Sequence, residues 1–199
     1  MKIGIIGGTF NPIHVGHLVL SEYIRDELNL DKIIFIPTGR PPHKSDKNIA
    51  KSIHRWNMLE LSIKDNPYFE LCDIELNSVG ISYTIDTVGE LKKLHISDDL
   101  TMIIGADSLL SLENWKRGPD LIQKINFVVA DRLIGKKQNV INEVKALNHK
   151  YGVNIRWVDS PIIEISSTDI RDRIKNNKSI KYLVKEDVNK YINDNNLYK

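Results

Sequence analysis

The sequence predicts an α/β fold in which helices cover both faces of a doubly wound parallel sheet. Short apolar runs alternate along the chain with stretches whose apolar residues recur at helical spacing, and this alternation is typical of such a sheet. Three of the apolar runs lead into segments rich in glycine, proline or polar residues: GGTF, PTGRPPHK and GADS. Because ligands bind beyond the carboxyl ends of parallel strands, these segments are the expected ligand site.

The first half of the chain contains three strand signals and three helix signals. The apolar run Lys2–Ile6 predicts a strand that ends at two glycines, and apolar residues between positions 20 and 28 predict the helix that follows. The runs KIIFIP and FELCDIEL predict two more strands. Helical patterns cover Ile53–Ile63 and Thr84–Leu94, with Thr84 expected as the N-cap.

The second half continues the alternation. Strands are predicted at LTMIIGAD, INFVVADR and NIRWVD, and helices over residues 138–150, from ISSTDIRDRI onward and over Glu186–Ile192. No linker or internal repeat divides the chain, so we expect one domain over residues 1–199. Within it, residues 166–199 are expected to form a small C-terminal helical annex.

The composition disfavours several classes of protein. Of the 199 residues 41% are hydrophobic and 27% are charged, as in ordinary globular proteins, and the net charge of +2 is too small to favour a nucleic-acid or membrane surface. The single cysteine, Cys72, excludes an internal disulfide and a cysteine-rich zinc site. The N-terminal residues lack the pattern of a leader peptide, and no apolar stretch approaches the ~18 residues of a spanning helix. We therefore expect a soluble, cytoplasmic protein.

Gly7 and Gly8 follow the first strand, where they would let a ligand phosphate approach the backbone. Two common phosphate-binding patterns are absent. The glycines lack the spacing of the dinucleotide fingerprint G-x-G-x-x-G, and no acidic residue ends the second strand. The P-loop pattern G-x-x-x-x-G-K-[ST] does not occur either. A dehydrogenase and a P-loop enzyme are therefore both disfavoured.

His14 and His17 stand three positions apart at the predicted start of the first helix, with Gly16 between them. A helix N-terminus favours anions, and two imidazoles there could donate hydrogen bonds to phosphoryl oxygens in a transition state, while Gly16 leaves room for a phosphate. Two other interpretations stay open at this point. His14 could cap the helix while His17 packs, or the pair could bind zinc, although the spacing is awkward for a zinc site and the other histidines are scattered.

A second candidate phosphate site lies at the start of the helix in ISSTDIR. Ser166, Ser167 and Thr168 crowd this start, and three hydroxyls together with the first N–H groups of a helix suit a triphosphate. Arg171 lies one turn further, where its guanidinium can clamp phosphate oxygens. A capping box of Ser166 and Asp169, with a solvated arginine, explains the same residues without a ligand.

The segment GGTFNPIHVGH resembles the signature of the HxGH nucleotidylyltransferases. The segments PPHK, SYTIDT, GADS and ISSTDIR resemble, in the same order, the blocks of one branch, the nicotinate-nucleotide adenylyltransferases, and the likeness extends from residue 3 to about residue 197. The resemblance implies a Rossmann-like fold and transfer of the adenylyl group of ATP to nicotinate mononucleotide, giving deamido-NAD and pyrophosphate in NAD biosynthesis. It also implies Mg²⁺ carried by the ATP phosphates rather than by a cage of protein carboxylates.

The resemblance implies roles for individual residues. His14 and His17 would be the catalytic residues. ATP would be bound by Gly7, Gly8, Thr9, Phe10, His14, Gly16, His17, Gly105, Asp107, Ser166, Ser167, Thr168 and Arg171. Nicotinate mononucleotide would be bound by Gly8, Lys44, Arg55, Thr84 and Trp115, with the Trp115 ring stacked on the pyridine ring.

Several alternatives remain at the level of the sequence. Lys116 stands where many relatives carry an aromatic residue, so contacts to the edge of the pyridine ring would differ here. The acceptor could instead be nicotinamide mononucleotide or phosphopantetheine, and the chain could also be a nucleotide-sensing module without turnover. A structural protein that associates through the apolar residues of its last helix is a third possibility, and a homo-oligomer stays open.

Overall fold

The computed structural model of the chain describes residues 1–40, 49–130, 137–161 and 163–199. Its strands are β1 (Lys2–Gly8), β2 (Lys32–Pro37), β3 (Phe69–Leu71), β4 (Asp99–Gly105), β5 (Asn126–Ala130) and β6 (Arg156–Val158). Its helices are α1 (Val15–Glu27), α2 (Ser52–Ile63), α3 (Thr84–Leu94), α4 (Ala106–Leu110), α5 (Gly118–Lys124), α6 (Lys137–Tyr151), α7 (Ser167–Lys175) and α8 (Glu186–Asp194).

The six strands form one parallel sheet in the order β3-β2-β1-β4-β5-β6. At its centre, Ile5 of β1 pairs with Ile34 of β2 on one side and with Met102 of β4 on the other. The chain winds outward from β1 first through β2 and β3, and then in the opposite direction through β4, β5 and β6. This order confirms the predicted doubly wound fold, and it sets the carboxyl ends of β1 and β4 side by side, where such sheets bind ligands.

Side chains of the strands alternate between two apolar cores, one on each face of the sheet. In β1, Ile3 and Ile5 face the core that α3 to α6 cover, while Ile6 faces the core that α1, α2, α7 and α8 cover. Both cores are closed to solvent. Burial on both faces explains why the strands read as continuous apolar runs rather than as alternating ones.

The prediction that FELCDIEL forms a strand along its whole length is wrong. β3 ends at Leu71, because the chain turns at Asp73. The Asp73 carbonyl accepts hydrogen bonds from the N–H groups of Leu76 and Asn77 at 2.8 and 3.1 Å. The turn carries Glu75 away from the sheet and into the wall of the cavity described below.

Two short helices, α4 and α5, do not appear in the sequence prediction. They contain five and seven residues, which is too short for apolar periodicity to show. The segment from Lys116 to Pro119 predicts a surface loop, whereas α5 begins at Gly118. Pro119 suits the first turn of this helix, since a proline lacks an N–H group that the helix start would leave unpaired.

The C-terminal helices complete the core that α1 and α2 cover. Val188 and Ile192 of α8 are buried there, so the apolar stripe of the last helix is used in packing rather than exposed for self-association. The Tyr191 hydroxyl lies 2.9 Å from both His54 Nδ1 and Asn57 Nδ2 of α2. Among the described residues, no helix is long and apolar enough to cross a membrane.

Candidate active site

A cavity of about 1300 Å³ opens at the carboxyl ends of β1 and β4. Many of the residues expected to bind ATP or the mononucleotide line it: Gly7, Gly8, Thr9, Phe10, His17, Thr84, Gly105, Asp107 and Trp115. The other expected residues of the described chain lie outside this lining: His14, Gly16, Arg55, Ser166, Ser167, Thr168 and Arg171. Lys44 falls outside the described residues. The cavity therefore collects residues from three of the sequence blocks.

The turn after β1 is shaped by close packing against Phe10. A Cβ atom on Gly8 would lie 3.1 Å from the Phe10 ring, so a side chain at position 8 would require the ring to shift by a few tenths of an ångström. Phe10 itself is 3% exposed and has φ of 46°, a left-handed conformation that costs a non-glycine residue about 1 kcal/mol. Gly7 is less constrained, since its Cβ would meet only the Met102 side chain, at 3.6 Å.

His14 and His17 stack on each other at the start of α1. Their ring centres are 3.7 Å apart with planes inclined by 32°. The Phe10 and His17 rings meet edge to face, with their centres 5.3 Å apart. His14 is the N-cap residue and is 3% exposed, while His17 lines the cavity. The backbone N–H of His14 donates to Nδ1 of His17 at 3.3 Å. A His17 ring that accepts at Nδ1 carries its proton on Nε2, the nitrogen with which it can donate to a ligand.

Packing against His14 explains why a glycine suits position 16, and the sequence alone does not show this contact. A Cβ atom at this position would lie 3.1 Å from Nδ1 and 3.3 Å from Cε1 of His14. The space beside Gly16 is thus filled by the His14 ring in this structure, rather than left open for a phosphate. Because position 16 has no side chain, the His14 ring packs closely against the start of α1. There it stacks on the ring of His17.

The hydroxyls at the start of α7 all have partners within the chain. The Ser166 hydroxyl accepts from the Asp169 N–H at 3.0 Å, as the capping interpretation predicts. The Ser167 hydroxyl donates to the Pro12 carbonyl at 2.8 Å. Nη2 of Arg171 donates to the Thr168 hydroxyl at 3.1 Å, and its Nη1 donates to the Asn11 carbonyl at 2.8 Å. The α7 start is therefore bound directly to the turn that carries the histidines.

Arg55 lies in the interior, although its charge suggests either a substrate contact or a surface ion pair. It is 2% exposed and donates to three backbone carbonyls: to Ala50 at 3.1 Å, Thr9 at 3.0 Å and Gly39 at 3.4 Å. Burial lowers the pKa of its guanidinium. Arg55 joins the turn after β1 to the segments on either side of residues 41–48.

The start of α3 and the pair Trp115–Lys116 form another part of the cavity wall. Thr84 is the first residue of α3 and Tyr83 is the N-cap, which corrects the expected cap by one position. The half-buried Trp115 donates from Nε1 to the Ser111 hydroxyl at 3.2 Å. Nζ of Lys116 lies 4.9 Å from the centre of the Tyr83 ring, within range of a cation–π contact. An aromatic face, a helix N-terminus and a cation thus meet at one end of the cavity.

Gly105 and Asp107 mark the point where β4 becomes α4. Gly105 is the N-cap of α4, and a Cβ atom there would meet nothing within 4 Å. Asp107 lies in the first turn and is exposed to the cavity. Its carboxylate is thus available to accept hydrogen bonds from a ligand's hydroxyl or amine groups.

Glu75 is a cavity residue that the sequence gives no reason to select, because it falls inside an apparent strand. The Thr87 hydroxyl donates to its carboxylate at 2.8 Å. Burial nevertheless raises the pKa of Glu75, against this bond, the polar groups of Gly39 and Ser82 and the nearby charge of Arg55. In the described part of the chain, no group of three or more His, Cys, Asp or Glu side chains is arranged to hold a metal ion.

Comparison of the sequence with known proteins identifies its relatives. The cytidylyltransferase-like family matches residues 5–173. The probable nicotinate-nucleotide adenylyltransferase of Thermoanaerobacter sp. (strain X514) is 42% identical over 200 residues, which cover all of this chain and 95% of that protein. The protein of the same description from Moorella thermoacetica is also 42% identical over 200 residues, covering all of this chain and 92% of that protein.

Solved structures show the same fold at lower identity. The Plasmodium falciparum nicotinic acid mononucleotide adenylyltransferase complexed with NaAD matches with a TM-score of 0.81 at 21% identity, over 99% of this chain and 97% of that one. The same enzyme complexed with APC matches with a TM-score of 0.79 at 20% identity, over 99% and 96% of the two chains. With full-length relatives at about 40% identity, the chain belongs to the cytidylyltransferase-like family and, within it, to the nicotinate-nucleotide adenylyltransferases.

Proposed function

We propose that this chain transfers the adenylyl group of ATP to nicotinate mononucleotide in the cavity at the carboxyl ends of β1 and β4, releasing deamido-NAD and pyrophosphate. The observation that carries this proposal is one shared cavity. His17, at the N-terminus of α1, lines it together with Thr84 and Trp115. A donor suited to a phosphoryl group and a platform suited to a pyridine ring therefore face the same space.

The reaction needs no nucleophile from the protein. An oxygen of the mononucleotide phosphate attacks the α-phosphorus of ATP and forms the new P–O bond. The bond from that phosphorus to the oxygen bridging to the β-phosphate breaks, and pyrophosphate leaves with its electron pair. Catalysis then consists of positioning the two anions and stabilising the charge that develops.

His17 is the proposed donor to the α-phosphate. Because its Nδ1 accepts from the His14 backbone, its Nε2 carries the proton for that hydrogen bond. The positive end of the α1 dipole adds to the stabilisation. His14 is proposed to act on neighbouring phosphate oxygens and, through its stacked ring, to fix the orientation of His17.

The start of α7 is the proposed site of the β- and γ-phosphates. Ser166, Ser167 and Thr168 surround its N-terminal N–H groups. Arg171 has five N–H donors, and its contacts to Asn11 and Thr168 leave others for phosphate oxygens. Lys44 is proposed to bring the two anions together. Mg²⁺ enters with the triphosphate as part of the substrate.

Trp115 and Thr84 are the proposed acceptor site. The indole face stacks on the pyridine ring, while the Thr84 hydroxyl and the first N–H groups of α3 donate to the carboxylate of the nicotinate. Gly8 lets the mononucleotide approach the turn, and Asp107 accepts from ribose hydroxyls or the adenine amine. A cytoplasmic location suits a chain with one cysteine that consumes ATP.

A panel of acceptors tests the proposal. Purified protein is incubated with MgATP and, separately, with nicotinate mononucleotide, nicotinamide mononucleotide or phosphopantetheine, and pyrophosphate release is measured. We expect the fastest release with nicotinate mononucleotide. Faster pyrophosphate release with nicotinamide mononucleotide or phosphopantetheine would show that the substrate is that acceptor instead. ATP binding without pyrophosphate release with any acceptor would support a nucleotide-sensing module.

A further inference from the structure

Three distant segments of the chain meet at the side chain of Asn11. Asn11 lies in the turn between β1 and α1 and is 5% exposed. Its Oδ1 accepts a hydrogen bond from the Ala50 N–H at 3.0 Å, just before α2, and another from the Tyr198 hydroxyl at 2.9 Å. One amide oxygen thus connects the histidine-bearing turn, the segment before α2 and the residues after α8.

The environment of Tyr198 keeps its hydroxyl a donor. The ring packs on the core that α1 and α2 cover, and it lies near the guanidinium groups of Arg55 and Arg171. Burial raises the pKa of the Tyr198 phenol more than the two arginines lower it. A phenol that stays protonated can donate to Asn11, which a phenolate could not.

The backbone around Tyr198 is held in place against a conformational cost. Tyr198 has φ of 65°, a left-handed conformation that costs about 1 kcal/mol, and the preceding Leu197 N–H donates to the Ile192 carbonyl at 3.0 Å. Residues that follow a last helix are ordered only where contacts tie them down. Here the ring and its hydroxyl supply such contacts.

Other C-terminal groups also fasten the turn, but through its backbone. The Val15 N–H donates to the Leu183 carbonyl at 2.9 Å, and Ser167 and Arg171 bind the carbonyls of Pro12 and Asn11. Tyr198 differs from these groups because it binds the Asn11 side chain, which simultaneously holds Ala50. It is thereby placed to fix the turn relative to the segment that follows residues 41–48.

We propose that Tyr198 is a positioning residue for adenylyl transfer: its hydrogen bond to Asn11 fixes the histidine-bearing turn relative to the segment before α2. The effect on rate rests on the proposed function. Without the hydroxyl, Arg55 and the Ala50 N–H still join the Thr9–His17 turn to residues 49–51. The Asn11 side chain loses its Tyr198 partner, however, and the two segments gain freedom to shift relative to each other. His17 then spends less time aligned with the α-phosphate, so kcat falls while the KM for ATP changes little.

Tyr198→Phe tests the proposal, with Tyr182→Phe as the matched control because Tyr182 is 80% exposed. We expect kcat to fall 3- to 10-fold in Tyr198→Phe, with the KM for ATP within twofold of wild type and no change in Tyr182→Phe. In an Asn11→Ala background the same substitution should lower kcat less than twofold, because the hydroxyl acts through Asn11. A kcat within twofold of wild type, or an undiminished effect in the Asn11→Ala background, would overturn the proposal.

Amide hydrogen exchange provides a measurement that does not depend on turnover. Peptides covering residues 9–17 and 49–56 should exchange faster in Tyr198→Phe than in wild type or Tyr182→Phe, while peptides of β4 should not change. Equal exchange in all three proteins would overturn the positioning role. If the wild type releases no pyrophosphate, the proposed function fails, and the exchange result still decides the proposal about Tyr198.

Discussion

The two ends of the cavity are built differently. At the proposed phosphate side, the residues behind the cavity lining are buried and hydrogen-bonded within the chain: His14 is 3% exposed, Asn11 5% and Arg55 2%. His17, which lines the cavity in front of them, is half-buried. The proposed pyridine side, comprising Tyr83, Thr84, Trp115 and Lys116, is half-buried or exposed. The proposed phosphate side thus rests on a buried, hydrogen-bonded layer, whereas the proposed choice of acceptor depends on a few side chains with faces open to the cavity.

The largest expected effect is that of His17→Ala on the phosphate side. Loss of one such donor costs about 3 kcal/mol, or roughly 100- to 1,000-fold in rate. The rate is measured as steady-state pyrophosphate release, and circular dichroism checks that the variant is folded. The control is His149→Ala, at an exposed position on α6. A variant that keeps more than a tenth of the wild-type rate would contradict the role of His17.

Arg55→Met is expected to lower the stability of the folded protein. Three partly buried backbone carbonyls would lose their donor, which should lower the free energy of unfolding by about 2 kcal/mol. Urea denaturation measures the change, and Arg156→Met in β6 is the exposed control. An unchanged stability combined with weaker mononucleotide binding would instead make Arg55 a substrate contact.

On the pyridine side, Trp115→Ala is expected to change acceptor binding rather than chemistry. Losing the ring face should raise the KM for nicotinate mononucleotide about tenfold, equivalent to about 1.4 kcal/mol, with kcat changed much less. Trp115→Phe keeps an aromatic face and should recover most of the loss. An increase in the KM for ATP instead of the mononucleotide would show that Trp115 serves the other substrate.

Lys116→Met should have the smallest effect, on the choice between acid and amide. An exposed cation contributes up to ~1 kcal/mol to an anion nearby, so the preference for nicotinate over nicotinamide mononucleotide should fall about two- to fivefold. The difference should shrink at high salt. Lys92→Met, an exposed lysine of α3 that does not line the cavity, carries the same charge change and should leave the preference unaltered.

Local patterns in the sequence predicted the sheet and most of its helices. The α3 bounds, Thr84–Leu94, match the apolar periodicity, and the segments after β1 and β4 do meet at the cavity. Arg55 and Tyr198 could not be interpreted in this way, because their partners are distant in sequence. Thr9 precedes Arg55 by 46 residues and Asn11 precedes Tyr198 by 187. Only the packed fold brings these groups together.

ATP binding and single-turnover chemistry, measured together on wild type and His17→Ala, test most directly whether His17 acts on the transition state. Binding of MgATP is followed by calorimetry, and formation of deamido-NAD is followed after mixing with nicotinate mononucleotide. A donor that acts on the developing charge should leave the Kd for ATP within about threefold of wild type while the turnover rate falls at least 100-fold. A loss of ATP affinity as large as the loss of rate would instead make His17 a ground-state binding residue and contradict the mechanism.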